Sequence, residues 1–214
     1  MTRLLTIFTA AAFALLALAG PALGSPAVKL DFDCYRSGQA ATAMISDFDP
    51  NTDLSMSVGT HALGATQTDD QGDVSFDFTA PKLAAGKALL KTRLTAQDEN
   101  GLIAEDVFNV VPLTLFVTPK RAAAKRKVTF SFGGFVERTS IYEHIVYKGK
   151  AIKTTLFGTP RAPCGSLKRT VTQLPLKTPK PGAYTLQFDL EAGYSADARP
   201  AVRTSVRVPK PKRR

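Results

Sequence analysis

"DDQGDVSFDFTAPKLAAGKALLKTRLTAQDE", residues 69–99, places two alternating runs on either side of a Gly- and Pro-containing connection. In "DVSFDF", Val74, Phe76 and Phe78 fall on one face and Ser75 and Asp77 on the other. "LLKTRLTA" sets Leu90, Thr92, Leu94 and Ala96 against Lys91, Arg93 and Thr95. A period of two with one apolar face marks a half-buried antiparallel strand. Further along, "KVTFSF" does the same with Val128, Phe130 and Phe132, and "YTLQFD" with Tyr184, Leu186 and Phe188. About seven such runs precede Pro112 and about seven follow it, a density that suits β-sandwiches. Helical periodicity is nearly absent after the N-terminus, Trp is missing, and Gly (15) and Pro (14) are frequent, which favours a loop-rich all-β chain.

The second half reads as a diverged copy of the first. "GQAATAMISDFDPNTDLSMSV" (38–58) runs parallel to "KRKVTFSFGGFVERTSIYEHI" (125–145), with Phe48 opposite Phe135. Residues 69–99 run parallel to "APCGSLKRTVTQLPLKTPKPGAYTLQFDLEA" (162–192), aligning Gly72 with Gly165, Pro81 with Pro175, Gly86 with Gly182 and Asp98 with Asp189. A repeat of about ninety residues fits one immunoglobulin-sized domain per copy. The expected organisation is a signal peptide (1–24), an acidic sandwich (25–112), a basic sandwich (113–208) and a basic Pro-rich tail (209–214), with Pro112 as the hinge.

The first copy resembles the bacterial Ig-like modules of secreted Gram-positive, actinobacterial-type surface proteins. The residues that carry the likeness are Phe48 and Pro50, Leu63 and Gly64, Thr68, Asp69 and Gly72, then Phe76, Pro81, Gly86, Asp98, Gly101, Ala104 and Phe108. It spans residues 28–111. The second copy keeps Phe135, Gly165 and Gly182 and departs at "IYEHIVYKGK" and "TPRAPCGSL". The resemblance implies two tandem extracellular Ig-like antiparallel β-sandwiches and no particular chemistry, because such folds host many functions.

"DFDPNTD" (47–53) places Asp47, Asp49, Asn51 and Asp53 at every second position, as a calcium loop does. An EF-hand loop needs Gly at its sixth position and a carboxylate at its twelfth. Here those positions hold Thr52 and Val58, so the stretch reads as a turn between strands. "TDDQGD", with Asp69, Asp70 and Asp73, is likewise turn-like in composition. No metal and no cofactor is expected.

The N-terminus has the pattern of a cleaved secretory signal: Arg3, the apolar run "LLTIFTAAAFALLALAG", then "ALG" ending at Gly24. The rival, a membrane anchor, lacks a basic stop-transfer cluster after Pro21. No Cys follows "LALAG" to take a lipid, and "VPKPKRR" at the C-terminus is polar. The mature chain is therefore expected outside the cell or associated with the cell wall, with no membrane span.

Charge is the strongest functional clue. Residues 25–113 carry 6 Lys and Arg against 13 Asp and Glu, whereas residues 114–214 carry 21 against 5. The basic residues singled out as contacts for an anionic surface are Arg126 and Lys127 in "PKRAAAKRKV", and Arg199, Arg203 and Arg207, which alternate with Val202, Val206 and Val208. The tail adds Lys210, Lys212, Arg213 and Arg214. Outside a cell the fitting partner is an anionic cell-wall polymer or envelope component. No recognition helix or nucleic-acid motif points to specific nucleic acid. Charge also serves solubility, which leaves a protein-interaction or adhesion module as the alternative.

Catalytic signals are weak, and no enzyme is expected. The chain has two His, His61 and His144, and two Cys, Cys34 and Cys164, with no nucleophile elbow, HExxH or phosphate loop. A Cys164–His144 thiol and base, or a small enzyme or carrier with an interdomain cleft lined by His144, Tyr142 and Cys164, is the remaining catalytic alternative. An even pair of cysteines in an exported chain reads better as a disulfide. A Cys34–Cys164 bond would staple the two domains if their α-carbons lie within roughly 7 Å. Free or partner-linked thiols are the other outcomes.

Overall fold

The computed structural model describes residues 24–120 and 122–210. The expected signal peptide, save Gly24, lies outside the described residues, as do Arg121 and the tail from residue 211. The rest is all-β, and no helix among the described residues is long and apolar enough to cross a membrane.

Residues 27–111 form one sandwich of two sheets. β1 (Ala27–Leu30), β3 (Ala40–Ser46) and β6 (Val74–Thr79) make an antiparallel sheet in the order β1-β3-β6. β2 (Cys34–Arg36), β4 (Asp53–Val58), β5 (His61–Gln67), β7 (Leu90–Asp98) and β8 (Ile103–Val111) make the other, in the order β2-β8-β7-β4-β5. All pairings are antiparallel except β2 with β8.

Residues 114–208 repeat the plan. β9 (Thr114–Thr118), β10 (Lys127–Gly133) and β13 (Leu167–Thr172) form the order β13-β10-β9. β11 (Ile141–Tyr147), β12 (Lys150–Gly158), β14 (Gly182–Asp189) and β15 (Ala201–Val208) form β12-β11-β14-β15. Setting β2 aside, the two strand orders are the same. This is the Ig-like arrangement, and the sequence repeat is a repeat of topology.

The alternation seen in the sequence sets the cores. Tyr35, Phe78 and Phe108 pack edge-on at 5.4–6.2 Å in the first. Phe130, Phe132, Phe157 and Phe188 do so in the second, and edge-on or tilted pairs of this kind favour their ring quadrupoles.

Phe48 and Phe135 occupy corresponding places, each buried beneath the turn before the next strand. In both, a glycine at positive φ lies against the phenylalanine carbonyl: a Cβ on Gly72 (φ 84°) would sit 2.0 Å from Phe48 O, and one on Gly165 (φ 60°) 1.6 Å from Phe135 O. Other paired positions drift. Asp98 shares the core-facing side with Leu94 and Ala96, whereas Asp189 points opposite to Leu186 and Phe188, because a one-residue offset flips the face. The turn after β7 takes four residues, and the connection after β14 takes eleven.

Pro112 and Leu113 alone join the last strand of one sandwich to the first of the other. Cys34, which opens β2, is bonded to Cys164 in the β12–β13 connection, with α-carbons 4.9 Å apart. Gly134 N donates to Cys164 O at 2.9 Å, and a Cβ on Gly134 would meet Pro112 O at 2.5 Å, so link, turn and disulfide sit together.

Two outcomes test this frame. Gly165→Ala is expected to lower unfolding stability by about 3 kcal/mol, through positive φ plus collision with backbone. Gly193→Ala, in open space, should change it by under about 0.5 kcal/mol; denaturant midpoints measure both. Replacing Cys34 and Cys164 by Ser removes a cross-link across 130 residues. That is expected to cost about 4–5 kcal/mol of stability under the same measurement.

Candidate functional site: a basic end without carboxylates

Strand direction sorts the loops into ends. In the first domain the turns at 47–52, 68–73 and 99–102 lie at the end away from the link, since β8 runs from there to Val111. In the second domain Thr114 pairs with Gly133, so connections 134–140, 159–166 and 190–200 lie at the link end. Connections 119–126, 148–149 and 173–181 and residues 209–210 lie at the far end.

The far turns of the first domain hold or border Asp47, Asp49, Asp53, Asp69, Asp70, Asp73, Asp98 and Glu99. Several of these carboxylates close their own turns. Asp69 Oδ1 accepts from Gln71 N (2.8 Å) and Asp73 N (2.9 Å), and those bonds hold its pKa below the usual carboxylate value. Asp98 Oδ1 accepts from Leu102 N at 2.7 Å. Among the described residues no three His, Cys, Asp or Glu side chains gather as metal ligands.

The far end of the second domain has the opposite character. Lys120, Lys125 and Arg126 come from the β9–β10 connection and Lys127 opens β10, Lys148 is in the β11–β12 turn and Lys150 opens β12, and Lys177 and Lys180 come from the β13–β14 connection. Arg207 and Lys210 complete it, and all ten are exposed. The domain's carboxylates are elsewhere. Glu137, Glu191 and Asp197 are in link-end connections, and Glu143 and Asp189 lie near the link-end tips of β11 and β14. The only two ion pairs among the described residues are Arg93–Glu105 and His144–Asp189, so no carboxylate neutralises this end. A cavity of about 280 Å³ opens there between Tyr147, Ile152, Leu176, Lys177, Lys180 and Tyr184. Lys148 Nζ lies 5.5 Å over the Tyr147 ring, which stacks on Tyr184 at 4.7 Å.

The basic residues singled out in the sequence are divided by the structure. Arg126, Lys127 and Arg207 reach the far end. Arg199 precedes β15 in the link-end connection and does not share a strand face with the others; its Nη1 donates to Ala198 O. Arg203 is on β15, and its guanidinium is engaged: Nε donates to Gln187 Oε1 and Nη2 to Ala196 O, both at 2.7 Å.

Arg203, itself exposed, borders a buried polar cluster that sequence reasoning missed. Connection 190–200 folds over the outer face of the β12-β11-β14-β15 sheet and seals His144, Gln187 and Asp189 from solvent. His144 Nε2 faces two acceptors, Asp189 Oδ1 and Glu191 O, each at 3.1 Å, and so carries the proton. Its Nδ1 meets Thr154 Oγ1 at 2.9 Å, and Tyr194 covers the ring. Gln187 Nε2 donates to Asp189 Oδ2 and Ser195 O at 2.7 Å. The mutual bonding of these groups satisfies their burial. With Cys164 in the disulfide there is no thiol for His144 to activate. The interdomain cavity of about 290 Å³ is lined by Ala88, Pro112, Phe116, Gly134, Pro163 and Cys164 among others, and not by His144 or Tyr142.

Glu143 faces the core from β11, beside Phe188 and Thr155, and one carboxylate oxygen has no partner. Burial pushes its pKa up to about 7, partly opposed by the Thr155 hydroxyl and the charges of Lys153 and Arg169. A carboxyl with a raised folded pKa binds more protons folded than unfolded, so stability falls as pH rises from about 4.5 to about 7. Glu143→Gln is expected to flatten that slope and to stabilise the protein at pH 8 by on the order of 3 kcal/mol, read from melts across pH.

No protein-family model matches the chain, and no curated protein matches it. Among solved structures it is similar to the human OSCAR ligand-binding domain, at 10% identity and TM-score 0.37, covering 86% of this chain and 97% of that one. It is similar to a C-terminal intimin fragment, solved with the intimin-binding domain of the translocated intimin receptor, at 12% identity and TM-score 0.42, covering 87% and 64%. It is also similar to the Bacteroides ovatus glucan-utilisation protein SGBP-B, solved with a mixed-linkage heptasaccharide, at 16% identity and TM-score 0.33, covering 87% and 46%. These low-identity likenesses lend this chain no ligand.

Proposed function

We propose that the chain is a secreted, non-catalytic binding protein of the cell envelope whose second domain attaches to an anionic polymer through its far end. The observation that carries the reading is the ten exposed cations gathered there without a carboxylate among them. Surface charge scattered for solubility mixes both signs; one sign on one tip focuses the field on an oppositely charged partner. Tyr147, carrying Lys148 over its ring, lines the small cavity beside the charges. The interdomain disulfide supports an oxidising compartment, and the first domain acts as a spacer that carries the tip.

Lys125→Glu, Arg126→Glu and Lys127→Glu together are expected to abolish retention on purified cell walls. Arg199→Glu, at the other end, leaves most of it. Affinity of the parent falls by about tenfold or more between 50 and 200 mM salt, as displaced counterions require. Salt-independent retention, or equal loss from both variants, would overturn the reading.

A further inference from the structure

A second basic feature lies at the opposite end of the same domain. A pocket of about 670 Å³ opens between the end of β12 and the start of β13, walled by Phe157, Gly158 and Thr159, the 161–166 hairpin, and Leu167, Lys168 and Arg169. Its volume is that of a small-molecule site. Arg161, Lys168 and Arg169 all line it, together with the hydroxyl residues Thr159 and Ser166. None of the three cations has a carboxylate within ion-pair distance among the described residues. The carboxylate that reaches the hairpin is Glu137, whose Oε1 accepts from Gly165 N at 3.4 Å.

The walls are held in advance. Arg161 and Ser166 exchange two backbone hydrogen bonds of 2.8 Å, and Arg138 N donates to Pro160 O. Cys164 is tied to the first domain, and Gly165 rests on Phe135. Arg169 Nη1 donates to Phe157 O, and its guanidinium carbon stands 5.4 Å over the Phe157 ring. Holding the donors in place before a ligand arrives removes ordering cost from binding.

We propose that this pocket binds the phosphate ester of a monosaccharide-sized molecule. Arg161 and Arg169 supply guanidinium groups and Lys168, which leaves the other face of β13, adds to the local positive charge; together they match a doubly charged oxyanion with several acceptor oxygens. The volume exceeds that of phosphate alone, and Phe157, Leu167 and the two hydroxyl residues suit a polyol ring. The pocket holds or fails independently of polymer attachment, because it shares no residue with the far end.

Glucose 6-phosphate titrated into the full chain, followed by amide chemical shifts, tests this. Saturable binding with shifts confined to residues 157–169 is expected, weaker for inorganic phosphate and absent for glucose. Arg161→Ala and Lys168→Ala are both at exposed positions with little packing to lose; the first should weaken binding by about tenfold and the second, on the other face of β13, by less. Their melting temperatures stay unchanged, and the Lys125, Arg126 and Lys127 variant binds as the parent does. Equal binding of glucose or glucuronate would overturn the proposal, as would shifts centred on the far end or no saturation below roughly 10 mM.

Discussion

The bond between Cys34 and Cys164 joins the two elements that break the symmetry of the repeat. Cys34 opens β2, the strand with no counterpart in the second domain. Cys164 lies in the 159–166 hairpin, which is longer than the 68–73 turn at the matching place in the first domain. Two sandwiches linked by Pro112 and Leu113 have little backbone with which to fix their relation; relative motion is the default for such a pair. The cross-link adds a second tie on a different strand, and a two-point attachment removes rotation that a single linker permits. The same hairpin carries Arg161 and sits on Phe135 through Gly165, so one tie orders the domain junction and one wall of the cationic pocket.

Charge is distributed by end as well as by domain. Carboxylates crowd the far turns of the first sandwich, where many accept backbone N–H bonds and close turns. Cations crowd the far turns of the second, where none is needed to close anything. At physiological salt a charge is felt over about 8 Å, so the two tips act as separate local fields. That is why net charge of the whole chain, +10, says less about binding than where those ten far-end cations sit.

Much of the fold was legible because a strand writes its burial into alternate residues. Val128, Phe130 and Phe132, or Tyr184, Leu186 and Phe188, face the core as their period requires. Phe48 with Gly72 and Phe135 with Gly165 were legible as matched pairs because a close backbone approach tolerates only glycine. Two cysteines in a chain read as exported pointed to one bond, which the fold contains. The polar cluster was not legible. His144 and Gln187 come from two strands, and a loop of eleven residues covers them, so no local pattern announces their joint burial. Arg203 therefore read as a free cation when it is a structural donor, and Arg199 read as a strand residue when β15 begins two positions later. Glu143 escaped notice because a carboxyl on the core side of a strand violates the rule by which the strand was found.

The cluster also bears on where this molecule can bind. The outer face of a sandwich sheet is ordinarily open to partners, but here connection 190–200 lies across it and buries its polar centre. What remains of that face is β12 at the sheet edge, with Ile152 and Leu156 about half exposed. An edge of this kind pairs with other strands unless it is blunted, and the exposed Lys150 opens this one. With much of that face covered, the loop-bearing ends of the second domain are where its exposed cations gather. Both carry unpaired cations, and they differ in form: the far end spreads ten cations over several connections, whereas at the link end three cations line one pocket. On the proposed reading these are two scales of recognition built on one scaffold, a diffuse one for a polymer's charge density and a discrete one for a single acidic group.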